Sequence, residues 1–183
     1  MTAKVHGVLI LLFSALSMLS AQPGRVQSLK GESWITYHLT HPLHEVEATS
    51  KVPLFHAEID PQNREIKGAD AQVDVTSFDS GNSNRDSHAM EVIDALDYPA
   101  VTFTSTKIVQ FGDSLSISGV LMFHGISRNI VAAALSKWSA NKLEVLGSFD
   151  LSLTEFKIQR PTLLLIPVND RLRFKFDAVF ALQ

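Results

Sequence analysis

From Trp34 onward, apolar and polar residues alternate with a period of two in segment after segment. That pattern confines the chain to antiparallel sheet with one buried and one wet face. In Trp34–His41, Ile35, Tyr37 and Leu39 share one face, and Trp34, Thr36 and His38 the other. In Ala69–Ser77 the apolar face is Ala69, Ala71, Val73 and Val75, set against Asp70, Gln72, Asp74 and Thr76. In Leu115–Phe123 it is Leu115, Ile117, Leu121 and Phe123, with Gly119 at a bend or bulge. Further strands are predicted over Leu54–Asp60, Val101–Val109, Asn129–Leu135, Leu143–Leu153 and Arg171–Leu182. The apolar run Leu163–Ile166, fenced by Pro161 and Pro167, could be another. Asp60-Pro61, Gly81-Asn82, Gly112-Asp113, Asn141 and Asn169-Asp170 mark turns between them. Residues 22–32 are polar and turn-rich and read as a loose lead-in.

A single helix is predicted over Asp86–Leu96, capped by Asn84 or Asp86, with Met90, Ile93 and Leu96 as its apolar stripe. Many short strands, one helix and no repeated helical crossover imply an all-β sandwich or barrel. The chain has 183 residues, 45% of them hydrophobic, enough for one core. Neither an internal repeat nor a linker divides it, so residues 22–183 are expected to form a single domain.

Residues 1–21 have the pattern of a secretory signal peptide. Lys4 is the positive start, Val8–Leu16 the apolar core, and Ser20-Ala21 the small residues before a cut at Gln22. The expected location is therefore periplasmic or secreted. Cysteine is absent, which removes disulfides, thiolate metal sites and thiol catalysis together. A net charge of -3 with scattered lysines and arginines gives no footprint for nucleic acid.

The densest motif runs from Val73 to Thr106, VDVTSFDSGNSNRDSHAMEVIDALDYPAVTFTST. It joins a strand to an Arg-Asp-x-His turn, a short helix, Tyr98-Pro99 and a second strand. A further block, Leu115–Ile130, carries Phe123-His124-Gly125-Ile126-Ser127-Arg128. Together these resemble the YceI-like family, and the resemblance runs from about Trp34 to Leu182. It implies an extended antiparallel β-barrel of lipocalin-like shape holding a long apolar lipid: a polyisoprenoid, an isoprenoid quinone or a fatty-acyl chain. It implies no enzyme activity and no catalytic cofactor. On this reading Leu39, Val73, Val75, Phe103, Leu121 and Phe123 line the interior, and Met90 and Ile93 close it from the helix. Arg85, His88 and His124 are candidates for contact with a lipid head group at the mouth. Such a carrier would touch membranes only transiently, and an open sheet edge would also allow a homodimer.

The eleven phenylalanines, among them Phe55, Phe111 and Phe149, fit a lined cavity and a filled core equally well, since a small barrel can be packed by its own side chains. A filled barrel would point instead to a structural or interaction module of the cell envelope. The seven histidines raise metal binding, with His41, His44 and His56 as the candidate set. Pro42 forbids the continuous helix that a His-Glu-x-x-His site requires. Asp86 and His88 beside Ser87 or Ser127 could suggest a hydrolase, yet no Gly-x-Ser-x-Gly elbow accompanies them. Asp86 is instead expected to cap the helix, and Arg85 to pair with a carboxylate.

Overall fold

The computed structural model describes residues 24–182, so the expected signal segment, residues 1–21, lies outside the described residues. The strands are β1 (Gly24–Gln27), β2 (Trp34–His41), β3 (His44–Ser50), β4 (Leu54–Asp60), β5 (Glu65–Asp74), β6 (Ala100–Phe111), β7 (Ser114–Phe123), β8 (Ile126–Trp138), β9 (Lys142–Ser152), β10 (Thr162–Leu163), β11 (Ile166–Pro167) and β12 (Arg171–Ala181). Ten of them form one sheet in the order β1-β4-β5-β6-β7-β8-β9-β12-β2-β3, every pairing antiparallel; β10 and β11 form a separate small hairpin. The one α-helix among the described residues, α1 (Ser83–Val92), lies between β5 and β6.

The sheet curls into a barrel because the segment after β1 stitches β4 to β12. The Ser28 N–H donates to the Phe55 carbonyl at 2.8 Å, and the Leu29 N–H to the Val179 carbonyl at 2.7 Å. One end of the β3 edge is covered as well. Thr49 and Asp79 exchange backbone bonds of 3.0 and 3.1 Å, and the Ser50 and Ser77 hydroxyls meet at 2.7 Å. These contacts cover the end of β3 at Thr49 and Ser50.

The period-two faces hold in detail. On β7, Leu115, Ile117, Leu121 and Phe123 are buried while Ser114, Ser116, Val120 and Met122 face out. Gly119 sits opposite a bulge that shifts the β6 register between Ser105 and Lys107. A Cβ there would lie 2.4 Å from the Thr104 carbonyl oxygen and 2.5 Å from the Phe103 ring. Gly147 plays the same part beneath Phe176, where a Cβ would come within 2.5 Å of the ring. In both places a phenylalanine ring packs against bare backbone.

Several expectations need correction. Residues 24–27 are not a loose lead-in but β1, paired with β4. His44–Ser50 is a strand that was not predicted, although Glu45-Val46-Glu47-Ala48-Thr49 alternates with period two. β5 ends at Asp74, whose side chain accepts from the Thr76 N–H and turns Val75–Ser77 into a 3₁₀ turn. Leu163–Ile166 is not one strand; Leu164 and Leu165 form the tip of the β10–β11 hairpin. The helix is capped by Asn82, whose side chain accepts from the Arg85 N–H, rather than by Asn84 or Asp86. It stops at Val92 because Asp94 takes a left-handed φ of 48° and the Ala95 N–H returns to the Met90 carbonyl. Leu96 is therefore fully exposed instead of completing a stripe. Phe111 is also exposed, at the β6–β7 turn.

Two measurements test this frame. Gly119→Ala is expected to lower unfolding free energy by about 1–3 kcal/mol, since Thr104 and Phe103 must move aside. Gly24→Ala, with nothing within 4 Å, should leave it nearly unchanged in the same urea titration. On the outer face, Arg171 and Arg173 hold the Asp150 carboxyl down at about 2 by donating to it. A depressed carboxyl stabilises the fold above its unfolded value near ~4 and loses that contribution as pH falls through about 2. Asp150→Asn should cost ~0.2–1 kcal/mol at neutral pH, with the gap to wild type closing as the solution is acidified below pH ~4.

Candidate functional site

Inside the barrel lies a cavity of about 510 Å³, within the ~300–1,000 Å³ typical of small-molecule sites. Ile59, Leu115 and Leu143, all nearly inaccessible, lie outside its lining and fill the interior beyond it. The middle of the wall owes its space to small inward residues, among them Ala57, Ala71, Ala132 and Ala178. At the other end the cavity runs up to α1 and the β9–β12 connection, through Met90, Ile93, Pro161 and Thr162.

Leu39, Val73, Val75, Phe103, Leu121 and Phe123 all line this cavity, as do Met90 and Ile93 on the helix side. No residue of α1 is fully buried, yet Arg85, Asp86, Ala89, Met90 and Val92 are half-buried. That is what a helix roofing an unfilled space must show: its apolar face leaves water without meeting a packed core. Sequence reading had not singled out the aromatic wall across β2, β9 and β12. Phe149 and Phe174 stack at 5.0 Å with planes 9° apart, Tyr37 meets Phe174 edge-on at 6.3 Å, and Phe78 follows at 5.4 Å. The signal was present in β12, where Phe174, Phe176, Ala178 and Phe180 alternate and all line the cavity. Of the other phenylalanines, Phe55 and Phe149 line the cavity.

Polar side chains line the cavity along β4–β6, at His56, Asp70, Gln72 and Thr102, and again beside the helix. Arg85 and His88 line the cavity together with His44. Among the described residues Arg85 is not paired with a carboxylate, contrary to expectation. Its Nε donates to the Ser80 hydroxyl at 2.9 Å and one terminal nitrogen to the Ser80 carbonyl at 2.6 Å. The other terminal nitrogen, Nη1, has no hydrogen-bond acceptor among the described residues. Asp86 accepts from the Ser80 N–H at 3.2 Å, which pins the turn before the helix. Burial pushes the Tyr37 hydroxyl up, Asp86 reinforces the shift and Arg85 opposes it. Tyr37 thus keeps its phenol proton at the cavity wall.

His124 stands apart from these. It is absent from the lining, because its Nδ1 faces the Phe156 carbonyl at 2.9 Å and its Nε2 the Asp94 carboxylate at 3.0 Å. The Tyr98 ring packs on it at 4.7 Å. His124 therefore fastens the exit of α1 to the β7–β8 turn rather than meeting a head group. Both of its ring nitrogens point at acceptors, so both contacts are donations only in the imidazolium form.

Nor does the metal set converge. The Leu43 N–H donates to His41 Nδ1 at 3.1 Å, which leaves Nε2 to donate its proton to the Ile166 carbonyl at 3.0 Å. His56 is turned to Asp70 at 3.1 Å, and Asp70 also meets Arg25 at 2.7 Å. Among the described residues no group of three His, Asp or Glu side chains is placed to hold an ion. Asp86 and His88 do not form a relay either, since His88 faces Glu91 at 3.6 Å.

Asp94→Asn tests the helix exit. It should lower stability by about 1 kcal/mol and speed hydrogen exchange at Ile93–Tyr98, leaving the β7–β8 amides protected.

A family model for the YceI-like domain matches residues 27–180. A UPF0312 protein of Vibrio campbellii is 36% identical over 95 residues, covering 47% of this chain and 50% of that one. Protein YceI of Escherichia coli is 30% identical over 77 residues, covering 41% and 40%. The chain thus spans about half or less of the length of these relatives. Among solved structures, Burkholderia cenocepacia BcnA superimposes with a TM-score of 0.74 at 20% identity, covering 83% of this chain and 98% of BcnA. A Saccharophagus degradans domain described as polyisoprenoid-binding gives 0.70 at 13% identity, covering 87% and 100%. At such identities the likeness is one of fold, while the matched domain spans nearly all the described residues. The chain belongs to the YceI-like family.

Proposed function

We propose that this protein is a non-enzymatic carrier or store for a long apolar lipid, a polyisoprenoid, isoprenoid quinone or fatty-acyl chain, working in the periplasm or outside the cell. The observation that carries the reading is the apolar cavity of about 510 Å³ that the protein's own side chains leave open. Lost packing amounts to ~24 cal/mol per Å³ of empty volume. A dry, vacant space of this size would therefore forfeit on the order of 10 kcal/mol, as much as the whole stability of an ordinary domain. An apolar occupant recovers that contact. Burying a C16 chain yields roughly 12 kcal/mol gross at ~0.8 kcal/mol per methylene, of which ordering and immobilisation take back a large part.

The wall supports selection by length and bulk, since it offers few hydrogen-bonding groups below the helix. Arg85 and His88 are the candidates for contact with a polar head, Arg85 through the nitrogen that Ser80 leaves free. His124 drops out of that role because its ring is used elsewhere. The Saccharophagus degradans neighbour, described as polyisoprenoid-binding, favours the isoprenoid class. Export is supported by the pattern of residues 1–21.

Native mass spectrometry of protein purified without detergent, paired with lipid extraction, tests the carrier reading. A discrete added mass matching an extractable isoprenoid or acyl lipid is the expected result. A bare polypeptide that also fails to take up polyprenyl and acyl probes would sink it. Ala71→Phe, which places a ring into the cavity beside Phe103, should cut retained lipid severalfold while the protein stays folded. Removing the lipid from wild type should lower its melting temperature, and adding it back should restore the value. Arg85→Ala should weaken uptake of anionic amphiphiles by about tenfold, the worth of one charge-assisted bond, and leave neutral polyprenyl probes unaffected.

A further inference from the structure

In its neutral form His124 is one proton short of satisfying the two oxygens that hold it. Its Nδ1 lies 2.9 Å from the Phe156 carbonyl and its Nε2 3.0 Å from the Asp94 carboxylate. Neither oxygen can donate, since a carbonyl and an ionised carboxylate only accept. A neutral imidazole carries a single N–H, so one of the two contacts then sets lone pair against lone pair. Turning the ring over would present carbons to both oxygens instead. Only the imidazolium completes the arrangement, and one of its two donations then goes to a charge.

The ring is confined. Its side chain is 12% exposed. It stands in the two-residue turn His124-Gly125 between the paired residues Phe123 and Ile126, at φ 49° followed by 69°. The Tyr98 ring lies over this turn, 4.7 Å from the imidazole, and a Cβ on Gly125 would come within 2.6 Å of it. The elements packed against the ring carry more acids than cations. The helix exit brings Glu91, Asp94 and Asp97, besides Tyr98 itself; the 3₁₀ turn Thr154–Phe156 brings Glu155, with Lys157 after it; β8 brings Arg128. Arg128 is turned to the Ser127 and Glu155 carbonyls. Among the described residues His124 is the one cationic partner that Asp94 has.

What this contact holds is the exit of the cavity roof. The Asp94 carbonyl accepts from the Asp97 and Tyr98 N–H groups, each at 2.9 Å. The Ile93 and Ala95 N–H groups return to Ala89 and Met90 at 3.2 and 3.0 Å. Met90 and Ile93, in the same stretch, line the cavity. At its start α1 is fixed by Asn82 and by the bonds of Ser80 to Arg85 and Asp86, none of which involves a histidine. The two ends of the roof therefore differ in their dependence on a proton.

We propose that His124 and Asp94 form a proton-operated latch, in which the imidazolium closes the exit of α1 over the cavity and its discharge loosens Ile93–Tyr98. Closure is favoured in acid and weakens as histidine loses its charge, between pH ~5 and ~8. Easier exchange of lipid on the alkaline side rests on the carrier reading; the latch itself does not.

The test is hydrogen exchange of the full chain at pH ~5 and pH ~8, corrected for the intrinsic rate at each pH. The reporting amides are those of Ile93, Asp94, Ala95, Asp97 and Tyr98. Their protection in wild type should fall by about tenfold toward the higher pH, the worth of one charge-assisted bond, while the β7 amides hold. His124→Asn cannot charge and accepts a left-handed φ, so its protection should be the same at both values. His88→Gln removes the histidine on α1 itself, which faces Glu91 at 3.6 Å, and should keep the wild-type response. In unaltered protein, the ¹⁵N shifts of the His124 ring should show both nitrogens protonated at the lower pH. A wild-type exit equally protected at both values overturns the proposal, as does a response that survives in His124→Asn or vanishes in His88→Gln. A His124 ring that stays neutral at the lower pH overturns it without any variant. Lipid retained in the same samples keeps the two readings apart. A pH-responsive exit in a protein that takes up no lipid removes the carrier alone, and a loaded protein with an unresponsive exit removes the latch alone.

Discussion

A continuous antiparallel ladder holding apolar walls apart is the constraint on which the rest of this protein depends. Apolar surfaces in water close on one another unless something stiffer keeps them separate. Here the stiff element is the ten-stranded sheet, whose curl is completed by Ser28 and Leu29 bridging β4 to β12. Backbone hydrogen bonds do what disulfides do in many exported domains, and the chain contains no cysteine. The small residues Ala57, Ala71, Ala132 and Ala178 then face the interior without filling it. Phenylalanines concentrate the apolar surface along one wall, where Phe149, Phe174 and Tyr37 contact each other ring to ring.

The two ends of the barrel differ in kind. Beyond the cavity the interior is packed by Ile59, Leu115 and Leu143. The opposite end carries everything irregular: α1, the β9–β12 connection, two histidine-bearing turns and the Leu164–Leu165 tip. The histidines there are structural. His41 ties the rim to the hairpin, and His124 ties the helix exit to the β7–β8 turn. A helix with no fully buried residue, latched at its exit by one histidine–aspartate contact, is the least firmly packed roof in the structure. That places the least firmly packed part of the barrel beside the β10–β11 hairpin.

Legibility from sequence followed the number of partners each feature needs. β2 and β4 were readable to the residue, because alternation in one strand reports its own two faces. β3 was missed because its inward face carries only Val46 and Ala48 as apolar residues, and β1 since its few residues become a strand only when β4 lies alongside. The cavity-lining residues Leu39, Val73, Phe103 and Phe123 were legible as inward-facing. Phe174 and Phe176 carried the same pattern in a strand that no motif had singled out. The end of α1 was misplaced because the Asp94 turn depends on His124, thirty residues away in the chain. Arg85 was assigned a carboxylate on general grounds, whereas the local turn offers it the hydroxyl and carbonyl of Ser80 instead.

By itself the sequence determined that the chain would be an antiparallel, cysteine-free β-protein with one helix, and which side chains would face inward. Period-two alternation, turn residues and composition are properties of short stretches, and they survive without knowledge of the neighbours. Only the tertiary structure decided that the inward residues surround a space instead of meeting, that His41 and His124 are fasteners, and that the run Leu163–Ile166 is a hairpin rather than one strand. Each of these depends on the distance between segments far apart in the chain. The curl and closure of the sheet set those distances, and no local pattern encodes them.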